Sequence, residues 1–176
     1  MQRLGGDRAW LPFRAVNRRD LPGFDPGLQR HHLLPRQLLR LDGTANLLRA
    51  VGRDRLRFDD FRHNGLLLPA TDHAALRIGL PLHRGPHRTY NELVSERVGQ
   101  IEASWARSRT QMPEAALTDA HARLDLLQRA LRRRLLDHRR RLTLSSKDPL
   151  GCGVDFTELD ALVDDLWPAT EVGGPD

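Results

Sequence analysis

LHRGPHRTYN (82–91), read together with HHLLP (31–35) and NGLLLP (64–69), carries the organisation of this chain. HHLLP is a short apolar run stopped by proline and reads as a strand. Asn64-Gly65 is a turn signal ahead of the apolar run Leu66-Leu67-Leu68, which Pro69 ends. In the third stretch, Pro86 suits the first turn of a helix, where a residue needs no backbone N–H donor. Leu93, Val94, Val98, Ile101 and Trp105 then form an apolar stripe at helical spacing.

Working outward, RQLLRLDGTANLLRAVG (36–52) reads as one or two short helices burying Leu38, Leu39, Leu47, Leu48 and Val51. A long helix is expected from about Pro113 to Leu142. There Leu117, Ala120, Leu124, Leu127, Leu131, Leu135 and Leu142 recur at three- and four-residue steps, which turns one face inward and the arginines outward. Residues 1–29, rich in Pro and Gly without sustained periodicity, read as an irregular lead-in, and Asp155 to Trp167 as a short acidic amphipathic helix. The expected units are the lead-in 1–29, a core 30–108, a basic long helix 113–147 and an acidic tail 148–176.

With 176 residues, 39% hydrophobic and 29% charged, the chain can bury a core and lies away from the composition of disordered proteins. No segment approaches the ~20 apolar residues of a membrane span. The N-terminal MQRLGGDRAWLPF lacks the apolar centre of a secretory signal, so the expectation is a cytoplasmic protein, or one delivered into a target cell by a non-Sec route. A single cysteine, Cys152, excludes an intramolecular disulfide and a thiolate zinc cluster.

Charge is unevenly distributed. Residues 148–176 hold eight acids and no Lys or Arg, whereas residues 1–147 hold all 28 bases and 15 acids, a balance of +13. Such a body fits a phosphate-rich partner. All but one of the bases are Arg, a choice that serves bidentate phosphate contact and that a GC-rich genome would also produce. Arg132-Arg133-Arg134 and Arg139-Arg140-Arg141 lie one heptad apart, so on one helix they would form successive basic bands, either a solvated face or a track along a nucleic-acid backbone.

Eight histidines complete the pattern. His63, His73, His121 and His138 read as ordinary polar residues; His31, His32, His83 and His87 read as a set. Neighbouring side chains on a strand diverge, so His31 and His32 are poorly placed to chelate one ion together and well placed to divide two tasks. Gly85-Pro86 puts His83 in the turn before the helix and His87 in its first turn. Three imidazoles suffice for a catalytic metal site with positions left for water and phosphate. The alternatives are hydrogen-bonded or surface histidines, and a purely structural four-His zinc site.

The ordered motifs HHLLP, NGLLLP and LHRGPHRTYN resemble the AHH family of the HNH/endonuclease VII nuclease superfamily, over residues 30 to about 101. The resemblance implies an α+β, mostly helical fold in which a small ββα-metal core, a β-hairpin and a helix, is surrounded by further helices. It implies His32 as general base, His31, His83 and His87 as ligands of one divalent metal ion (Mg, Mn, Zn or Ni), and Asn64 as the residue that braces the hairpin and orients the base. Arg30 departs from the family by standing where its name shows Ala. Arg84 and Arg88, beside the ligands, are candidates for the substrate phosphate, and Arg132, Arg133, Arg139 and Arg140 for the nucleic-acid backbone.

The expected function is therefore a metal-dependent endonuclease of low sequence specificity acting on DNA, or on RNA. The family further implies a bacterial toxin or effector with a cognate immunity protein. The alternative is a non-catalytic basic nucleic-acid-binding protein with a structural His-ligated zinc.

Overall fold

The computed structural model describes residues 9–85, 87–139, 142–145 and 147–150. Two strands, β1 (Leu28–His32) and β2 (Gly65–Pro69), pair antiparallel with His32 opposite Gly65 and Leu28 opposite Pro69. Between them lie a 3-10 turn (Arg36–Leu39) and the helices α1 (Asp42–Val51) and α2 (Phe61–Asn64). After β2 come α3 (Asp72–Ile78), α4 (Arg88–Ser108) and α5 (Pro113–Leu135). The fold is mostly helical around a small two-stranded antiparallel element, as the resemblance implies, and α4 completes a strand, strand and helix order.

The core forms where the apolar stripes of α1, α4 and α5 meet the residues that leave β1. Leu33, Leu34, Leu38, Leu47, Phe58, Val94, Val98, Leu124 and Leu131 are fully buried. Helix α4 buries the expected stripe of Leu93, Val94, Val98, Ile101 and Trp105 and adds Tyr90 and Arg97 to it. Among the described residues, no helix is long and apolar enough to cross a membrane.

Three details correct or refine the sequence reading. First, β1 ends at His32 rather than running through HHLLP, because the side chain of Asn64 replaces the next strand partner. Its Oδ1 accepts from Leu34 N at 2.8 Å and its Nδ2 donates to Leu34 O at 3.3 Å, so Leu33 and Leu34 turn into the core. Second, the Asn64-Gly65 turn ahead of the apolar run is the junction of α2 and β2, and the strands are joined through residues 33–64. Gly65 is required there because a Cβ would collide with the Phe61 ring.

Third, α5 ends at Leu135, short of Leu142. Asp137 Oδ1 accepts from Arg139 N at 2.9 Å, a local turn that competes with helix continuation. Beyond it, Leu142 and Leu144 are buried again, so the chain folds back onto the core. The acidic segment Asp155 to Trp167 lies outside the described residues.

One anchor of the lead-in is at Leu11. Leu11 N donates to Asp60 Oδ1 at 3.1 Å, and Phe61 N donates to Leu11 O at 2.7 Å. Asp60 also caps α2 through Arg62 N at 3.0 Å and pairs with Arg57. Buried carboxylates require such a full set of donors. This anchor brings Phe13 alongside the end of β1.

Candidate metal centre

Alternation along β1 puts Gln29 and His31 on one face and Arg30 and His32 on the other. On the first face, His31 meets His83 and His87, with ring centroids 4.8 and 5.8 Å away, and the two later rings stack at 4.2 Å. One ligand nitrogen from each of the three histidines can be chosen so that all lie within 4.8 Å of one another. His83 belongs to the segment leaving α3, tied down by His83 N to Pro69 O at 2.6 Å and by Leu82 N to Asp148 Oδ2 at 3.0 Å. Gly85 has φ +85°, and His87 stands at the N-cap position immediately before α4 rather than in its first turn, with no side-chain hydrogen bond capping the helix. Tyr90, one turn into α4, donates its hydroxyl to Leu33 O at 2.7 Å and fixes the helix against the end of β1.

The hydrogen bonds around these rings specify which nitrogen is free. His83 Nδ1 lies 3.2 Å from Gln29 Oε1, and His87 Nδ1 lies 3.4 Å from Leu144 O. A backbone carbonyl can only accept, so His87 carries its proton on Nδ1 and keeps Nε2 as a lone-pair donor. The amide oxygen of Gln29 does the same for His83. His31 Nε2 is buried with no hydrogen-bond partner among the described residues. An orphaned buried nitrogen between two imidazoles of defined tautomer suits a divalent cation, whose three nitrogen ligands would leave positions for other donors.

Protonation agrees. Burial holds His31 well below the ordinary imidazole range, helped by the neighbouring His83, His87 and His32. Burial and the adjacent His87 lower His83 to about 4, and burial lowers His87 against the opposing pull of the Leu144 carbonyl. All three rings are neutral at pH 7, the form that binds metal.

His32 has different surroundings. Its ring stacks on Phe13 with centroids 3.7 Å apart and planes 3° from parallel, and Phe13 meets Phe61 edge-on at 5.1 Å. Its pKa falls to about 4, through burial first and then the charge of Arg36.

Asn64 does not hydrogen-bond the His32 imidazole. It is fully buried, donates to Phe58 O at 2.9 Å, and receives Gln128 Nε2 on Oδ1 at 3.2 Å; its carbonyl accepts from Leu33 N at 2.8 Å. It thus reaches His32 only through the backbone that joins the two strands.

The arginines divide. Arg84 is exposed and 4.0 Å from Asp72, and Arg88 is exposed at the first residue of α4. Arg132 does not stand on the solvent side of α5 as expected. It is half-buried and donates to the carbonyls of Arg62 (2.8 Å), His63 (3.3 Å) and Gly65 (2.9 Å). Arg134 is buried, Arg133 is exposed, and Arg139 is exposed beyond the end of the helix; Arg140 lies outside the described residues. Arg30 Nη1 donates to Phe13 O at 3.0 Å and Val16 O at 3.3 Å, which ties β1 to the lead-in. Of the other histidines, His121 and His138 approach backbone carbonyls of Arg55 and Gly79, and none joins the cluster.

Sequence reasoning missed Gln29, Phe13, Gln128 and the Leu144 carbonyl. Gln29 had a signal, since it lies two residues before His31 on a strand and so shares its face. Gln128 had one too, as a polar residue on an apolar helical stripe. No curated protein and no solved structure matches the chain. Residues 13–131, more than half of the chain, match the family described as AHH, a nuclease family of the HNH/ENDO VII superfamily with conserved AHH. The chain belongs to the AHH family of nucleases.

Proposed function

We propose that this protein is a metal-dependent endonuclease that hydrolyses phosphodiester bonds of DNA with little regard to sequence. The observation that carries the reading is the unpartnered, buried Nε2 of His31 between His83 and His87, beside a second imidazole, His32, that bonds to no described residue. His31, His83 and His87 would hold a divalent cation, which when bound would supply Lewis-acid neutralisation of the phosphate and stabilisation of the departing oxygen.

The chain's own contributions are distinct. His32, neutral at pH 7, takes a proton from the attacking water as the water oxygen bonds to phosphorus and the P–O3′ bond breaks. Phe13 holds the His32 ring in one plane, and Asn64, itself held by Gln128, fixes the strand ends on which His32 is carried. Gln29 and the Leu144 carbonyl keep His83 and His87 in the tautomer that presents Nε2. Arg84 and Arg88 bind the substrate phosphate near the centre. Arg133 and Arg139, exposed further along, meet the backbone, and such contacts carry no base information.

Plasmid incubated with the protein and Mg, Mn, Zn or Ni ions should be nicked, and chelator should abolish the nicking. Gel retardation of intact plasmid under every metal condition would support the non-catalytic, structural-zinc protein instead. We further propose that the nuclease serves as a bacterial effector opposed by an immunity protein, on the support of the family alone. A small neighbouring open reading frame whose product blocks nicking is the expected finding.

A further inference from the structure

A cavity of about 440 Å³ opens beside β1, walled on one side by Leu28, Gln29 and Arg30 and on the other by residues of the lead-in. Its volume is within the range of small-ligand sites. The lead-in wall is locked. Asn17, in the left-handed region at φ +48°, donates Nδ2 to the carbonyls of Asp25 (2.8 Å) and Leu28 (2.9 Å), and its Oδ1 accepts from Asp25 N at 2.9 Å. Asp25 in turn accepts from Gly27 N at 2.8 Å and pairs with Arg77. The cavity is therefore preformed, and a ligand entering it need not order the loop.

Its lining is cationic. Arg18, Arg19 and Arg30 surround it against one acid, Asp20, which holds Arg18 in place through Nε to Oδ1 at 2.9 Å. Arg19 is exposed and makes no hydrogen bond or ion pair with the described residues, so its guanidinium is available to an anion. Phe24 and Pro26 add an apolar, partly aromatic surface to the same lining. Guanidinium groups beside an aromatic ring suit a ligand that is anionic at one end and flat and apolar at the other, which describes a nucleotide. Gln29 connects the cavity to the metal centre, because it lines the first and bonds His83 of the second.

We propose that this cavity receives the nucleotide next to the scissile phosphate, with Arg18 and Arg19 binding its phosphate and Phe24 offering its ring to the base. The proposal rests on the nuclease reading for the identity of the scissile phosphate. Its prediction concerns substrate length. A substrate with flanking nucleotides uses the cavity; bis(p-nitrophenyl) phosphate, a phosphodiester without nucleotides, does not.

The test compares Arg19→Glu with Arg107→Glu, an equal change of net charge near the far end of α4. Arg19→Glu should lower kcat/KM on a short single-stranded oligodeoxynucleotide about tenfold, mainly through KM, with hydrolysis of bis(p-nitrophenyl) phosphate unchanged. Arg107→Glu should alter neither. In chelator, the labelled oligonucleotide should bind Arg19→Glu more weakly and with a salt slope shallower by roughly 0.7, the loss of about one phosphate contact. Equal losses on both substrates, no loss on either, or the same loss for both variants would overturn the subsite. If the wild type cleaves neither substrate, the nuclease reading falls. Oligonucleotide affinity in chelator then decides the subsite alone: selective weakening in Arg19→Glu supports it, and equal affinities overturn it.

Discussion

The two faces of β1 carry adjacent histidines in opposite settings. His31 faces His83 and His87, whose outer nitrogens are engaged by Gln29 and the Leu144 carbonyl; His32 lies flat against Phe13 and has no hydrogen-bond partner among the described residues. One setting fixes tautomers and gathers nitrogen lone pairs. The other fixes a ring plane and leaves its nitrogens to whatever approaches. Two neighbouring residues of one type can therefore take separate roles because strand alternation gives them different neighbours, with no difference in side-chain chemistry.

The largest expected effect of breaking this contrast is on turnover. His32→Ala should cut nicking by ~10²–10⁴-fold, the usual loss on removing a general base, with the melting temperature nearly unchanged. Retention of full nicking would remove His32 from the chemistry. A smaller effect is expected from the partner of His83. Gln29→Ala should weaken metal binding by about tenfold or somewhat more, as for other residues that orient a ligating imidazole, and excess metal should restore activity. If Gln29→Ala binds metal like the wild type, the Gln29 contact does not set the His83 tautomer.

The smallest effect is on stability against pH. The metal-free rings of His31, His32, His83 and His87 are all lowered in the folded protein, so below the unfolded imidazole pKa of ~6.5 the unfolded chain binds more protons than the folded one. Their contribution is complete above that value and is lost as pH falls toward about 4, where His32 and His83 protonate in the fold. Thermal melts in chelator should show a falling melting temperature between pH 6.5 and 4. Divalent metal should raise it at pH 7 and do so less as pH drops, since metal and protons compete for the same nitrogens. A melting temperature flat over that window would mean that the rings are not held neutral by burial.

The parts of this arrangement that the sequence reveals are those with local signatures. His83 and His87 could be placed around a helix start because Gly85-Pro86 interrupts the chain between them, and the stripe from Leu93 to Trp105 shows α4 by spacing alone. The spacing also shows the buried face of α5, but not its end. Leu142 keeps the helical period and is buried outside the helix, where the chain has already turned back. Contacts across large sequence separations left no pattern to read. Phe13 meets His32 from a segment without periodicity, and the Leu144 acceptor for His87 is a backbone carbonyl, which every residue possesses. The inward turn of Arg132 is illegible for a related reason, since an arginine run identifies a basic helix without showing which member turns back onto the carbonyls of Arg62, His63 and Gly65.

Calorimetric titration of a divalent metal into the chelator-treated wild type, His31→Ala and His32→Ala tests the separation of the two faces most directly. The wild type and His32→Ala should each bind one ion with similar affinity, and His31→Ala should bind it far more weakly. Loss of metal from His32→Ala as severe as from His31→Ala, or unchanged binding by His31→Ala, would contradict a centre built from His31, His83 and His87 with His32 outside it.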